Sequence, residues 1–251
     1  MNGGWVAEIA QEFWRRVGAQ GPLDLPLEEA ALYSLPLTIQ RTPRLSSAHV
    51  RHFLRSLGLA RRLEDDDRPL HAALVVWGGR GRIFLDAADP PAEQLYSLAH
   101  EVAHFLLEYQ RPRELAASRL GDAILQVLDG QRPATVTERL DSLLARVPLG
   151  LHLHLMERYG RLLCPRDIPR EERADRLALE LLAPAGQVWS LLRERGGGRS
   201  LAGSLRAVER LLMDSFGLPA GLAREYGEWI VRCRLGGPSV REWLDGREGA
   251  S

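Results

Sequence analysis

Residues 82–109 read RIFLDAADPPAEQLYSLAHEVAHFLLEY, and this stretch decides the fold. It joins an apolar run, a turn with two prolines and a helix-compatible segment that contains His100 and His104. Residues four apart lie one above the other on one helix face, so both imidazoles can reach a single ion. Glu101 lies beside that ion, where a carboxylate can take a proton from the attacking water. The H-E-x-x-H pattern therefore predicts a metal-dependent hydrolytic site.

The residues around this motif predict strands before it and helices on both sides. A glycine-rich turn separates two β-branched or aromatic runs, which predicts a hairpin with strands at 73–77 and 82–87. Alternating polar and apolar residues at 151–156 are typical of another short strand. Helices are predicted at 5–17, 48–58, 92–110, 113–130, 136–146 and 170–183, and on both sides of Gly217-Leu218-Pro219.

Composition narrows the class of protein. The chain of 251 residues has 33 basic and 33 acidic residues and no net charge. This balance argues against a nucleic-acid coat and against a membrane-surface protein. The two cysteines, Cys164 and Cys233, indicate neither a disulfide framework nor a thiolate zinc site. No apolar run approaches the length that spans a bilayer, so we expect a cytoplasmic protein with no membrane partner.

A catalytic metal site needs a third protein ligand and one open position. Residues 171–175 read EERAD, and on a helix Glu171 and Asp175 share a face. Glu171 would complete a set of two histidines and one glutamate. Asp175 could accept a hydrogen bond from the second ring nitrogen of a ligand histidine, which fixes its tautomer. A solvated helix start is the alternative for this charged run.

Four features in this order resemble the ImmA/IrrE family of metallopeptidases. They are a strand, a D-P turn, the helix with LAHEVAH and an E-x-x-x-D sequence that runs into ALELLAP. The resemblance covers residues 83–184. It implies that His100, His104 and Glu171 bind one zinc ion per chain and that Glu101 is the catalytic glutamate. Manganese or another divalent ion could occupy the same ligand set.

The resemblance also implies a fold. We expect an α+β, predominantly helical, gluzincin-like metallopeptidase domain with a small twisted β-sheet at residues 1–190, and a helical C-terminal region at 191–251. The separation of His104 and Glu171 exceeds the few tens of residues expected in the family, which predicts a helical insertion at about 111–165. The insertion could form a lid or partner surface, or enlarge the core.

The family often has Asn where this chain has Asp175, and either residue can accept a hydrogen bond from a ligand histidine. Several residues are candidates for stabilising the oxyanion. His152 and His154 point to the same side if their segment is a strand, and either could donate to the oxyanion. A plain polar strand face is the alternative. Tyr159 is a further candidate, as are two other tyrosines, Tyr96 and Tyr109.

The strand before the motif is the predicted site of substrate binding. Two prolines follow it and cannot donate hydrogen bonds, so pairing should stop there and leave an open sheet edge. An extended substrate would pair with that edge. The residues concerned are Ile83, Phe84, Leu85 and Asp86. The alternative is an internal strand that is paired on both sides.

These observations predict a zinc-dependent endopeptidase that hydrolyses a peptide bond of a protein substrate. The resemblance implies regulatory proteolysis, with a helix-turn-helix transcriptional repressor as the candidate substrate. The alternative is a non-catalytic or DNA-binding regulatory protein with a structural metal site. Residues 211–231 themselves resemble a helix-turn-helix, but Arg224 is accompanied by Glu225 and Glu228. Because that face is not basic, direct nucleic-acid binding is not expected.

Overall fold

The computed structural model describes residues 4–59, 63, 66–135, 150–159, 167–196 and 201–235. They form two compact units, one of residues 27–178 and one that combines 1–26 with 179–251. Helices predominate among the described residues and a small mixed sheet is present, so the predicted α+β, predominantly helical fold is confirmed. The predicted domain boundary near residue 190 stays a prediction.

The helices and strands have the following bounds in chain order: α1 (Gly4–Arg16), α2 (Leu27–Ser34), β1 (Leu37–Thr42), α3 (Ser47–Ser56), β2 (Leu70–Trp77), β3 (Arg80–Asp86), α4 (Pro91–His104), a π-helix (Phe105–Gln110), α5 (Arg111–Leu120), α6 (Ala123–Leu128), β4 (His152–Glu157), α7 (Ile168–Leu182), α8 (Ala185–Glu194), α9 (Leu201–Phe216) and α10 (Ala220–Leu235).

The sheet has the strand order β1-β3-β2-β4. β2 and β3 form the predicted hairpin, and Gly78 and Gly79 in its turn both have positive φ, at 59° and 82°. Glycine adopts this left-handed backbone without strain, and two such residues suit a tight hairpin. β4 pairs antiparallel with β2, which confirms the strand predicted at 151–156. β1 pairs parallel with β3, and the sequence did not predict this strand. Only Leu37 of its six residues is buried, so β1 lacks the apolar pattern by which the other strands were recognised.

The predicted substrate strand is internal to the sheet, so that prediction is wrong. Every residue from Ile83 to Asp86 lies opposite a residue of β1, and Ile83, Phe84 and Leu85 also lie opposite residues of β2. The backbone groups of β3 are therefore engaged on both sides. Its burial agrees, because Ile83, Phe84, Leu85 and Asp86 are all buried. The strand needed a partner distant in sequence to become internal, and β1 supplies it.

Helices cover both faces of the sheet. Val50 and Leu54 of α3 pack on Ala73 and Val75 of β2, together with Phe84 of β3. Because side chains alternate along a strand, the strand residues next to Ala73, Val75 and Phe84 point to the opposite face of the sheet. α4 packs against β2, β3 and β4. The H-E-x-x-H helix is thus held against one face of a twisted, largely buried hairpin.

The region between α4 and α7 differs from the predicted insertion. The expected helix at 113–130 is divided into α5 and α6 by Gly121, whose φ is 80°. The predicted helix at 136–146 lies outside the described residues. β4 belongs to the central sheet, so the region is not helical throughout, and part of it is integral to the fold.

The second unit contains α1, the end of α7 and the helices α8, α9 and α10. α9 and α10 pack together on either side of the turn at 217–219, as predicted. A Cβ at Gly227 would lie 3.0 Å from Val208, so glycine permits this close approach. Tyr226 donates a hydrogen bond to Glu180 at 2.8 Å and another to the carbonyl of Ala183 at 3.0 Å. No described helix is long and apolar enough to cross a membrane, and the cytoplasmic location stays a prediction.

Candidate metal centre

The motif helix α4 is buried over its second half. Every residue from Tyr96 to His104 is buried, and Glu101 and His104 are inaccessible to solvent. A helix normally buries one stripe, so this helix is enclosed all round. Ionisable groups at such positions need partners, because an unpaired buried charge is strongly unfavourable. The partners of His100, Glu101 and His104 therefore define the site.

His100 and His104 point their Nε2 atoms at each other and at Glu171. The two Nε2 atoms are 3.0 Å apart. Oε2 of Glu171, on α7, lies 3.2 Å from His104 Nε2 and 3.4 Å from His100 Nε2. The structure thus brings together the three residues that the sequence predicts as metal ligands.

A carboxylate faces the other ring nitrogen of each of these histidines. Oδ1 of Asp175 is 2.9 Å from His100 Nδ1, and the hydroxyl of Tyr96 donates to that oxygen at 2.6 Å. Oε1 of Glu108 is 2.8 Å from His104 Nδ1. Such a carboxylate holds the proton on Nδ1 and leaves the Nε2 lone pair free for an ion. Asp175 thus lies beside a motif histidine, and its role behind a metal ligand stays a prediction.

Sequence reasoning missed Glu108. It lies in the π-helix Phe105–Gln110, directly after α4, and Arg170 binds its carboxylate. Burial raises the pKa of Glu108, but the hydrogen bonds from His104 and Arg170 outweigh burial and lower it to about 2. The available signal was its spacing of four from His104, which places both side chains on one face. π-Helical turns occur frequently at functional sites.

His154 of β4 also enters the cluster. Its Nδ1 lies 3.0 Å and 2.9 Å from the two carboxylate oxygens of Glu101. Its Nε2 lies 3.4 Å from Oε2 of Glu171, and its ring stacks on that of His104 with centroids 3.7 Å apart. The sequence marked His154 only as a possible oxyanion stabiliser. The strand register explains its position, since His154 is opposite Leu74 on the sheet face next to α4.

The electrostatics of the cluster favour positive charge at its centre. Burial opposes protonation of His100, but its contacts with Asp175 and Glu171 raise its pKa to about 9. Burial likewise opposes protonation of His154, but Glu101 and Glu171 raise its pKa to about 10. Burial raises the pKa of Glu171, yet the surrounding imidazoles lower it far below its ordinary value. Carboxylates in this cluster therefore remain ionised.

The donor atoms fit a divalent metal ion. One donor atom each from His100, His104, His154 and Glu171 lies within 4.8 Å of all the others. Zinc binds histidine nitrogen and carboxylate oxygen at about 2.0–2.2 Å, so donors in a tetrahedral site lie about 3.3–3.5 Å apart. The contacts between the two motif imidazoles, and from Glu171 to all three imidazoles, run from 3.0 to 3.4 Å. Imidazole and carboxylate together are a donor set that zinc commonly uses.

The other predicted oxyanion stabilisers are not among the clustered donor residues. His152 is buried, but its Nε2 faces Oε2 of Glu108 at 3.3 Å. Burial lowers its pKa to about 4, and the charge of Glu108 opposes only part of that shift. Tyr159 is 84% exposed. Tyr96 is bound to Asp175, and the hydroxyl of Tyr109 accepts a hydrogen bond from Arg113 at 3.4 Å.

Comparison with known protein families agrees with this site. Residues 54–126 match the family model described as the IrrE N-terminal-like domain, Peptidase_M78. The match includes the H-E-x-x-H helix and ends before His154 and Glu171. It confirms the resemblance to the ImmA/IrrE family and indicates a metallopeptidase-like function. No curated protein and no solved structure matches the chain.

Proposed function

We propose that this chain is a zinc-dependent endopeptidase that hydrolyses a peptide bond of a protein substrate. The observation that carries the proposal is the convergence of His100, His104 and Glu171 on one point, with Glu101 beside it. The match of residues 54–126 to a peptidase family model supports the same reaction class.

His100, His104 and Glu171 would hold the metal ion. When bound, the ion would act as a Lewis acid that polarises the scissile carbonyl and lowers the pKa of water. Asp175 and Glu108 would keep the two histidines in the tautomer that presents Nε2. This arrangement requires no movement of the ligands before binding, because the donor atoms already converge.

Glu101 would act as the general base. Burial raises its pKa, but the charge and hydrogen bond of His154 outweigh burial, and the net pKa is lowered. The carboxylate is therefore ionised at neutral pH and able to accept a proton from the attacking water. It would return that proton to the leaving amine. Its position beside the ligands, rather than among them, suits this role.

The substrate would bind along β4 instead of β3. Within the described residues β4 pairs with β2 alone, so its other edge can accept an extended peptide by strand addition. His154 on β4 lies next to Glu101 and Glu171, so a peptide on this strand would run beside the metal ligands. The family resemblance supports a helix-turn-helix repressor in the cytoplasm as the substrate.

The central experiment is the replacement Glu101→Gln. Glutamine keeps the size of the side chain and removes the base, so we expect one zinc per chain as in the wild type and much slower peptide cleavage. A loss on the order of 100-fold or more is expected, as for removal of a general base. The readouts are metal content and cleavage of a candidate repressor. Equal cleavage by this variant would refute the mechanism.

A structural metal site in a non-catalytic regulatory protein is the second candidate. The fourth donor, His154, favours it, because four protein ligands are typical of structural zinc sites. Glu101 argues against it, since a structural site needs no adjacent base. A wild-type protein that binds zinc and cleaves no repressor at any metal concentration would favour the structural role.

A further inference from the structure

The strand β4 places His154 at the metal centre by its register alone. His154 is opposite Leu74 and His152 is opposite Val76, so both histidines lie on the face covered by α4. Leu151, Leu153 and Leu155 pack on the other face. The His154 side chain is only 10% exposed. A buried imidazole in this position must be satisfied by the groups around it.

His154 repeats the pattern of the two motif histidines. Each of the three imidazoles turns Nδ1 to a carboxylate and Nε2 to the common centre. For His100 the carboxylate is Asp175, for His104 it is Glu108, and for His154 it is Glu101. A carboxylate on the distal nitrogen is the usual companion of a metal-bound histidine.

The separation of His154 and Glu171 is that expected for two ligands of one ion. His154 Nε2 is 3.4 Å from Oε2 of Glu171, the same separation that His100 Nε2 has from this oxygen. Four donors around one zinc ion are expected about 3.3–3.5 Å apart. With Nδ1 facing Glu101, a metal-bound His154 would present the lone pair of Nε2 to the ion.

We infer that His154 is a fourth protein ligand of the metal, oriented by Glu101, so that the metal centre of the folded chain is closed. The inference rests on the proposed function for its metal and deepens it. In this arrangement Glu101 is occupied as the partner of His154. Hydrolysis would require His154 to leave the ion, which would free both a coordination position and the carboxylate of Glu101.

Cobalt(II) alone is the probe, because its visible spectrum reports coordination number and geometry. The full chain is loaded with one equivalent, and azide is added as a small ligand for any open position. The wild-type spectrum should be that of a tetrahedral site and should not change with azide. His154→Ala should change with azide and should bind cobalt more weakly, on the order of 10–100-fold. His52→Ala, at an exposed histidine, is the matched control.

Three results would overturn the inference. They are a wild-type spectrum that responds to azide as His154→Ala does, a variant that stays unresponsive, and a variant with wild-type affinity. Free imidazole should restore the wild-type spectrum of His154→Ala, which separates a lost ligand from misfolding. The azide titration of the wild type needs no variant at all. Because no arm measures peptide cleavage, failure of the endopeptidase proposal and failure of this inference are distinguishable.

Discussion

Two pairs of histidines lie on two elements that face each other, and they behave differently. His100 and His104 on α4 are four residues apart in sequence, and their Nε2 atoms are 3.0 Å from each other. His152 and His154 on β4 are two residues apart on one sheet face, yet their surroundings shift their pKa values in opposite directions. The pKa of His154 is raised to about 10, because Glu101 and Glu171 outweigh burial, whereas burial lowers that of His152 to about 4.

The difference comes from the groups that each imidazole of β4 meets. His154 faces Glu101 and Glu171, whereas His152 faces Glu108. The carboxylate that faces His152 is that of Glu108, which already binds His104 and Arg170. A shared sheet face is therefore not sufficient for both histidines of β4 to join the cluster, because their carboxylate partners differ.

We expect the largest loss of metal affinity when Glu171 is replaced. Glu171→Ala removes the donor that lies within 3.4 Å of all three clustered imidazoles. We expect metal affinity to fall by more than about 100-fold, since removal of an outer partner alone typically costs about 10–100-fold. Competition with a zinc-chelating dye measures it. Glu172→Ala, at the exposed neighbour, is the control, and equal affinity of both variants would remove Glu171 from the ligand set.

A smaller effect is expected from the carboxylate behind His100. Asp175→Ala leaves Nδ1 of His100 without its acceptor, which should lower metal affinity by about 10–100-fold. Asp175→Asn keeps an acceptor oxygen and should lose less. The same dye competition tests both variants. Wild-type affinity in Asp175→Ala would mean that the histidines of α4 need no outer partner.

We expect the smallest change in metal affinity when His152 is replaced. Because its Nε2 faces Glu108 rather than the cluster, His152→Ala should leave metal affinity unchanged. The free energy of unfolding should fall by roughly 0.5–3 kcal/mol, the usual range for a buried substitution. Zinc titration and urea unfolding provide the two measurements. A loss of metal affinity equal to that of His154→Ala would show that His152 contributes to metal binding as much as His154 does.

Features that depend on residues close together in the chain could be predicted from the sequence. The H-E-x-x-H spacing, the pair Glu171 and Asp175 and the hairpin around Gly78 depend on contacts within a few positions. The same reasoning failed for β3, where it treated the strand next to the motif as an edge. No local signal shows that β1, about 40 residues earlier, pairs with its free side.

The sequence by itself determined the chemistry of α4: two imidazoles on one helix face, with Glu101 beside them. Helical periodicity is a local property of the backbone, so those relations hold wherever the helix is placed. Only the tertiary structure decided that β4 lies at the edge of the sheet formed by the described strands, that His154 meets Glu101, and that Glu108 binds both His104 and Arg170. Those contacts join segments separated by tens of residues, and strand register and helix packing, not residue spacing, set their geometry.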